Sequence, residues 1–217
     1  MSYGLSVVND SGAVSIDSEF SRLCVFHRGR YVVSGGAGSV GFSAPIPSQE
    51  PPLVFLKPDN NSGSVAVGCI ISGAPGAWTG VTITGTNSSG SLFVATFKAS
   101  PVSDYGMRLW ESGGKLIFDS GNSAAVFTRV LQNWTYTHST VDAQGYYTNY
   151  YYVPLDLSSG DYLMINNARM WMMAANNTSR VTGMFFDFAS GVLRFTTTAI
   201  QNPFYFSLPA IFGKPVV

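Results

Sequence analysis

YGMRLWESGGKLIFDS, residues 105–120, repeats a phrase that the chain already carries at 3–18, YGLSVVNDSGAVSIDS. Aligned at an offset of 102, the two stretches share Tyr3/Tyr105, Gly4/Gly106, Gly12/Gly114, Asp17/Asp119 and Ser18/Ser120. Four further positions exchange one apolar residue for another: Leu5/Met107, Val7/Leu109, Val14/Leu116 and Ile16/Phe118. Apolar residues fall two apart on either side of a polar, glycine-bearing centre. Side chains alternate between faces along an extended strand, so the pattern predicts two strands joined by a turn, with one apolar face. Asn9-Asp10-Ser11-Gly12 and Glu111-Ser112-Gly113-Gly114 supply the turns, because glycine accepts positive φ without steric penalty. The phrase is a β-hairpin written twice.

Working outward, strand signals fill the rest of the chain and helix signals are nearly absent. RYVVS (30–34), LVFLKP (53–58), SVAVGCIIS (64–72), GVTITG (80–85) and SLFVATFKAS (91–100) are rich in β-branched and aromatic residues. AVFTRVLQ (125–132), WTYTHST (134–140), YYYVPLDL (150–157), DYLMIN (161–166), ARMWMMAA (168–175), VTGMFFDF (181–188) and GVLRFTTTAI (191–200) continue the series. Turn clusters such as KPDNNSG, GTNSSG and DLSSGD separate them. Many short strands at close spacing predict an all-β fold, an antiparallel β-sandwich of jelly-roll type. Two stretches break the rhythm. SGGAGSVGFSAPIPSQEPP (34–52) reads as a loop or linker and ISGAPGAWTG (71–80) as an irregular excursion. The expected organisation is therefore an N-terminal hairpin arm with its linker, 1–50, followed by a sandwich domain, 51–217. The alternative is two β-domains, 1–102 and 103–217.

Composition narrows the function. Twelve basic residues balance twelve acidic ones, which gives no electrostatic footprint for nucleic acid or an anionic membrane. Only 11% of the 217 residues are charged, against a typical ~25%, and aromatics reach 14%. A surface so poor in charge suits a protein whose faces are covered by copies of itself or by partners. Residues 1–20 lack the basic and apolar regions of a secretory signal, and no apolar run reaches the ~20 residues of a membrane helix. Cys24 and Cys69, in the settings LCVF and VGCII, read as buried free thiols of a protein made in a reducing cytoplasm.

Catalytic constellations are scarce. His27 and His138 sit in no metal-ligand spacing, and there is no GxSxG elbow or reactive-cysteine context. SGGAGSVG (34–41) lacks the Lys-Ser/Thr of a phosphate loop. KPDNNSG (57–63) holds Asp59 as its only carboxylate and is too acid-poor for calcium. No cofactor, metal or catalytic residue is expected, although Asp17, Asp119, Asp156, Asp161 and Asp187 leave a polysaccharide hydrolase as a distant alternative. Asn-x-Ser/Thr sequences at Asn60, Asn87, Asn133, Asn176 and Asn177 reflect composition rather than glycosylation. The strongest oddity is QGYYTNYYYVP (144–154), with Tyr146, Tyr147, Tyr150, Tyr151 and Tyr152 within seven residues. With Trp134 and Trp171 they form a candidate recognition surface for a glycan or a protein, the alternative being ordinary strand packing or a seam between subunits.

The two hairpins resemble a family of small tail proteins of bacteriophages and prophages, whose members open with Met-x-Tyr-Gly-Leu and carry a second YGL…G…FDS hairpin about one hundred residues on. The match falls on Tyr3, Gly4, Leu5, Gly12, Asp17 and Ser18, and on Tyr105, Gly106, Trp110, Gly114, Phe118, Asp119 and Ser120; PPLVFLKP (51–58) also fits the family pattern. It covers about the first 120 residues. The resemblance implies a non-enzymatic virion protein of the distal tail, tail tip, baseplate or fibre, assembled in the host cytoplasm. Its partners would be other tail proteins and copies of itself. The alternative is a receptor-binding adhesin that uses the tyrosine segment against a host glycan. In the assembly reading, residues 1–50 dock on a neighbour, Asp17 and Asp119 fix the hairpin exits, and Trp110 and Phe118 pack beneath the second hairpin.

Overall fold

LVFLKP shows how the sequence builds its layers. Val54 and Leu56 point one way, Phe55 the other, and all three are buried, so this strand must be covered on both faces. The computed structural model describes residues 5–8, 10, 14–17, 20–59, 63–155, 160–174, 178–199 and 207–216, with the backbone alone at 14–17, 171–174, 178–181 and 199. Among these there is no helix. The strands are β1 (Ser6–Val8), β2 (Val14–Asp17), β3 (Cys24–Val33), β4 (Ala37–Ile46), β5 (Leu53–Pro58), β6 (Ser64–Ala74), β7 (Ala77–Gly85), β8 (Ser88–Thr96), β9 (Arg108–Trp110) and β10 (Leu116–Asp119). They continue with β11 (Ala124–Leu131), β12 (Thr135–Val141), β13 (Tyr147–Pro154), β14 (Tyr162–Met164), β15 (Trp171–Ala174), β16 (Thr178–Val181), β17 (Gly183–Asp187), β18 (Val192–Ala199) and β19 (Ala210–Val216).

The fold is an all-β, antiparallel sandwich. One layer is a seven-stranded sheet in the order β12-β13-β18-β17-β6-β7-β4, and the other is a barrel in the order β11-β19-β14-β5-β8-β3. The barrel closes where Ala124 pairs with Cys24, secured by Val25 N–H to Ser123 O and Ala125 N–H to Leu23 O, both 2.8 Å. Ring contacts across the barrel show the curl. Phe127 and Phe55 stand three strand spacings apart, roughly 14 Å on a flat sheet, yet their centroids are 6.1 Å apart. Phe93 stacks on Phe55 at 4.5 Å and meets Tyr162 edge-on at 5.1 Å. Phe55 and Phe93, with Leu23, Ala95 and Ala125, form the small inner core, and Tyr162 packs against it; Phe127 is half-exposed at its margin. The larger core lies between the layers, where Val54, Leu56, Leu92 and Val94 meet Val67, Met184, Phe186 and Phe195.

The structure redraws two sequence expectations. Residues 34–52 are not a linker: Ala37–Ile46 is strand β4, and Gly35 and Gly36 make the tight turn after β3 with φ of 66° and 93°. Of the expected 1–50 arm, only β1 and β2 pair with each other alone, while β3 belongs to the barrel and β4 to the edge of the larger sheet. The glycine-rich run hid a strand because its small residues carry little β-propensity. Likewise 71–80 is a hairpin between β6 and β7, and Trp78 is buried there, its Nε1 donating to Ser48 O at 2.9 Å. Cys24 and Cys69 are both free, and burial pushes the Cys69 thiol up to about 12.

Candidate functional site at the second hairpin

The repeated phrase folds twice into one geometry. In the first hairpin Ser6 faces Asp17, Val7 faces Ile16 and Val8 faces Val14, with a bulge between the last two pairs. In the second, Arg108 faces Asp119, Leu109 faces Phe118 and Trp110 faces Leu116, with the bulge at the equivalent place. Every pair is conserved at the offset of 102 read from the sequence. Tyr3, Gly4 and Gly12 lie outside the described residues, as do Ser18 and the side chain of Asp17. Gly114 takes its turn role with φ of 82°, and its N–H donates to Glu111 O at 2.9 Å.

Asp119 does more than end the hairpin. It is buried, and its carboxylate accepts from Arg108 Nε at 2.7 Å, Gly121 N–H at 2.7 Å and Val102 N–H at 3.3 Å. Arg108 also donates through Nη2 to Ser103 O. Asn122 Nδ2 donates to Ser100 O at 2.7 Å, and Ser120 Oγ accepts from Met107 N–H at 3.0 Å. The polar groups of 119–122 thus clasp the incoming segment 100–107 against the hairpin. Gly106 has φ of 126°, and a Cβ there would overlap Ser120 Oγ, so the glycine and the serine of the phrase are one packing pair. The Arg108 guanidinium holds the Asp119 carboxyl below its ordinary value of 3.8.

Phe118 is buried beneath the hairpin with the Arg22 guanidinium 4.5 Å above its ring. Trp110 does not join it. Leu109 is the residue opposite Phe118, so strand alternation turns Trp110 to the other side, where it is 56% exposed. There it shares with Tyr105, Met107, Arg108 and Asp119 a cleft of about 240 Å³. Tyr105 is 93% exposed, Val102 59% and Met107 40%. The clasp therefore holds up an aromatic and apolar ridge that the sandwich does not cover. Leu5, Val7 and Val8 of the first hairpin also reach solvent.

The chain matches no family model, no curated protein and no solved structure.

The tyrosine segment is divided by the sheet. It forms β13, between β12 and β18. Tyr151 is in the core, edge-on to Tyr136 at 5.8 Å, and burial pushes its phenol up to about 12. Trp134 is also buried, with its ring 5.6 Å from Phe195 and its Nε1 donating to Leu208 O at 2.6 Å. Both leave the expected recognition surface: strand alternation turns Tyr151 inward, and Trp134, just before β12, packs into the same core. Tyr147 is half-buried near the strand's start, and Tyr146 sits in the turn, its N–H on Asp142 Oδ1 at 2.9 Å. Tyr150 and Tyr152 turn to the outer face, half-buried. The side chain of Trp171 lies outside the described residues.

The carboxylates weighed for hydrolysis are engaged separately. Asp119 pairs with Arg108, Asp161 with Arg129 at 3.3 Å and Asp187 with Arg194 at 2.7 Å. Asp156 lies outside the described residues. Asp59 pairs with Arg30 at 2.5 Å and takes a bond from Ser89 Oγ at 2.6 Å; these two partners lower its carboxyl to about 2. Arginines of this kind hold loops and strand ends in place.

Proposed function

We propose that this chain is a non-enzymatic structural component of a bacteriophage tail, assembling with copies of itself or with other tail proteins through β-hairpin docking. The observation that carries the reading is the clasped second hairpin. Burial and hydrogen bonds account for Phe118, Asp119, Ser120 and Gly106, but Tyr105 and Trp110 stand in solvent on a rigid frame. Exposed aromatic residues on a pre-ordered support are what a protein interface needs, since little backbone freedom is lost on docking. Two-stranded ribbons β1-β2, β9-β10 and β15-β16, and the sheet edges β12 and β4, offer the sites for strand or ribbon addition. The charge-poor composition and the resemblance of both hairpins to tail proteins support the same reading.

Immunogold labelling of tailed particles released from cells that carry the gene tests it. Label at the distal end of the tail is the expected outcome. Particles that form normally and carry no label would remove the proposal.

A further inference from the structure

The outer face of the seven-stranded sheet holds a groove that neither core nor hairpin uses. Because Tyr151 faces the core, Tyr150 and Tyr152 face outward. The register carries that face across the sheet. Tyr150 lies opposite Thr196, and Thr196 opposite Gly183. In the next row Tyr152 lies opposite Arg194, and Arg194 opposite Phe185. Gly183 keeps the floor low, since a Cβ there would stand 2.9 Å from both the Phe185 ring and Thr196 Oγ1. Beyond it Gly68 lies opposite Thr84. The stem of Arg169 crosses Gly68, where a Cβ would come within 2.8 Å of Arg169 Cβ. The result is a groove of about 250 Å³ lined by Thr84, Arg169, Gly183, Phe185 and Thr196. At its β13 side, His138 stacks on Tyr150 at 4.4 Å with the rings 5° from parallel, a flat aromatic rim.

Charge decides the ligand class. Arg30, Arg108, Arg129 and Arg194 each pair with an aspartate. Arg169, exposed at the groove, has no ion pair or hydrogen bond among the described residues. We infer that the groove binds a saccharide carrying a carboxylate. The planar guanidinium of Arg169 matches a carboxylate bidentately. The Phe185 ring in the groove presents an apolar surface to the CH side of a sugar ring. The Thr84 hydroxyl can donate or accept, and Thr196 Oγ1, which donates to Gly183 O at 3.5 Å, can still accept from a sugar hydroxyl. The volume falls below the ~300–1,000 Å³ of drug-sized pockets and suits a single acidic sugar unit. This site is independent of the assembly reading.

Titration of the isotope-labelled protein by NMR with glucuronic acid, N-acetylneuraminic acid and glucose tests the inference. At least one acidic sugar should shift the amide signals of Thr84, Gly183 and Phe185 saturably, with glucose roughly 10-fold weaker or more. Arg169→Gln, an exposed change that leaves the sheet intact, should weaken acidic-sugar binding by a similar factor. Three outcomes would overturn it: no response to either acidic sugar, an equal response to glucose, or unchanged binding in Arg169→Gln. Because the tail-component proposal is tested by labelling of particles, such a failure leaves it standing.

Discussion

The hairpins β1-β2 and β9-β10 are one phrase in two settings. They share register and bulge, yet where Arg108 faces Asp119 in the second, Ser6 faces Asp17 in the first. The repeated turn and apolar alternation suffice to fold the ribbon. The arginine adds the link that clasps segment 100–107. Tyr105 teaches the complementary lesson. It repeats Tyr3 in the sequence, and at 93% exposure it contributes little to the fold.

Breaking the second hairpin from below has the largest expected effect. Phe118→Ala should destabilise the protein by about 3 kcal/mol, from the lost ring and the cavity under Arg22. Trp110→Ala, two strand positions away across the ribbon, should stay within about 0.5 kcal/mol. Denaturant unfolding of the two variants separates buried from presented aromatic residues, and equal losses would erase the distinction. Gly106→Ala comes next, at about 1–2 kcal/mol for its positive φ, before any displacement of Ser120; a melting curve like that of the parent would count against the packing pair.

Acid acts more locally. The Asp119 carboxyl is depressed in the folded state, so its contribution is fully present above the ordinary value of 3.8 and is lost as the pH falls through the lower folded value. Below about pH 4, the Val102 and Gly121 amide signals should move together in the parent. In Asp119→Asn that step should vanish; its persistence would assign the titration to another group. The smallest change sharpens the comparison most. Ser6→Arg would give β1-β2 the cross-strand pair it lacks, worth about 0.2–1 kcal/mol. Slower amide exchange in residues 6–17 is the expected result, and unchanged exchange would mean that the two ribbons are not interchangeable in that respect.

Much of the fold was legible because β-branched and aromatic runs bounded by turn residues are a strong signal. LVFLKP, SLFVATFKAS and VTGMFFDF all announce strands, and the duplicated phrase announced both hairpins down to their pairing offset. Residues 34–52 misled because glycine-rich, proline-bearing sequence resembles linker even when tertiary pairing makes it strand β4. Trp110 was misplaced because composition names an aromatic residue as core, while only the register shows that Leu109 takes the place facing Phe118. The clasp was half visible: Asp119 was singled out at the hairpin exit, but its bonds to Val102 and Arg108 need the folded path of 100–107. The groove at Arg169 was invisible, since it gathers residues from β7, β17, β18 and the segment after β14, with no common motif.

The most direct test of the assembly account is the mass in solution of the full chain beside a chain starting at Phe20, measured by light scattering. That cut removes β1-β2 and leaves β3 and β4 in their sheets. A defined oligomer for the full chain that falls to a folded monomer on truncation is the predicted result. A monomer in both cases, or an oligomer untouched by the loss of the first hairpin, would contradict docking through that hairpin.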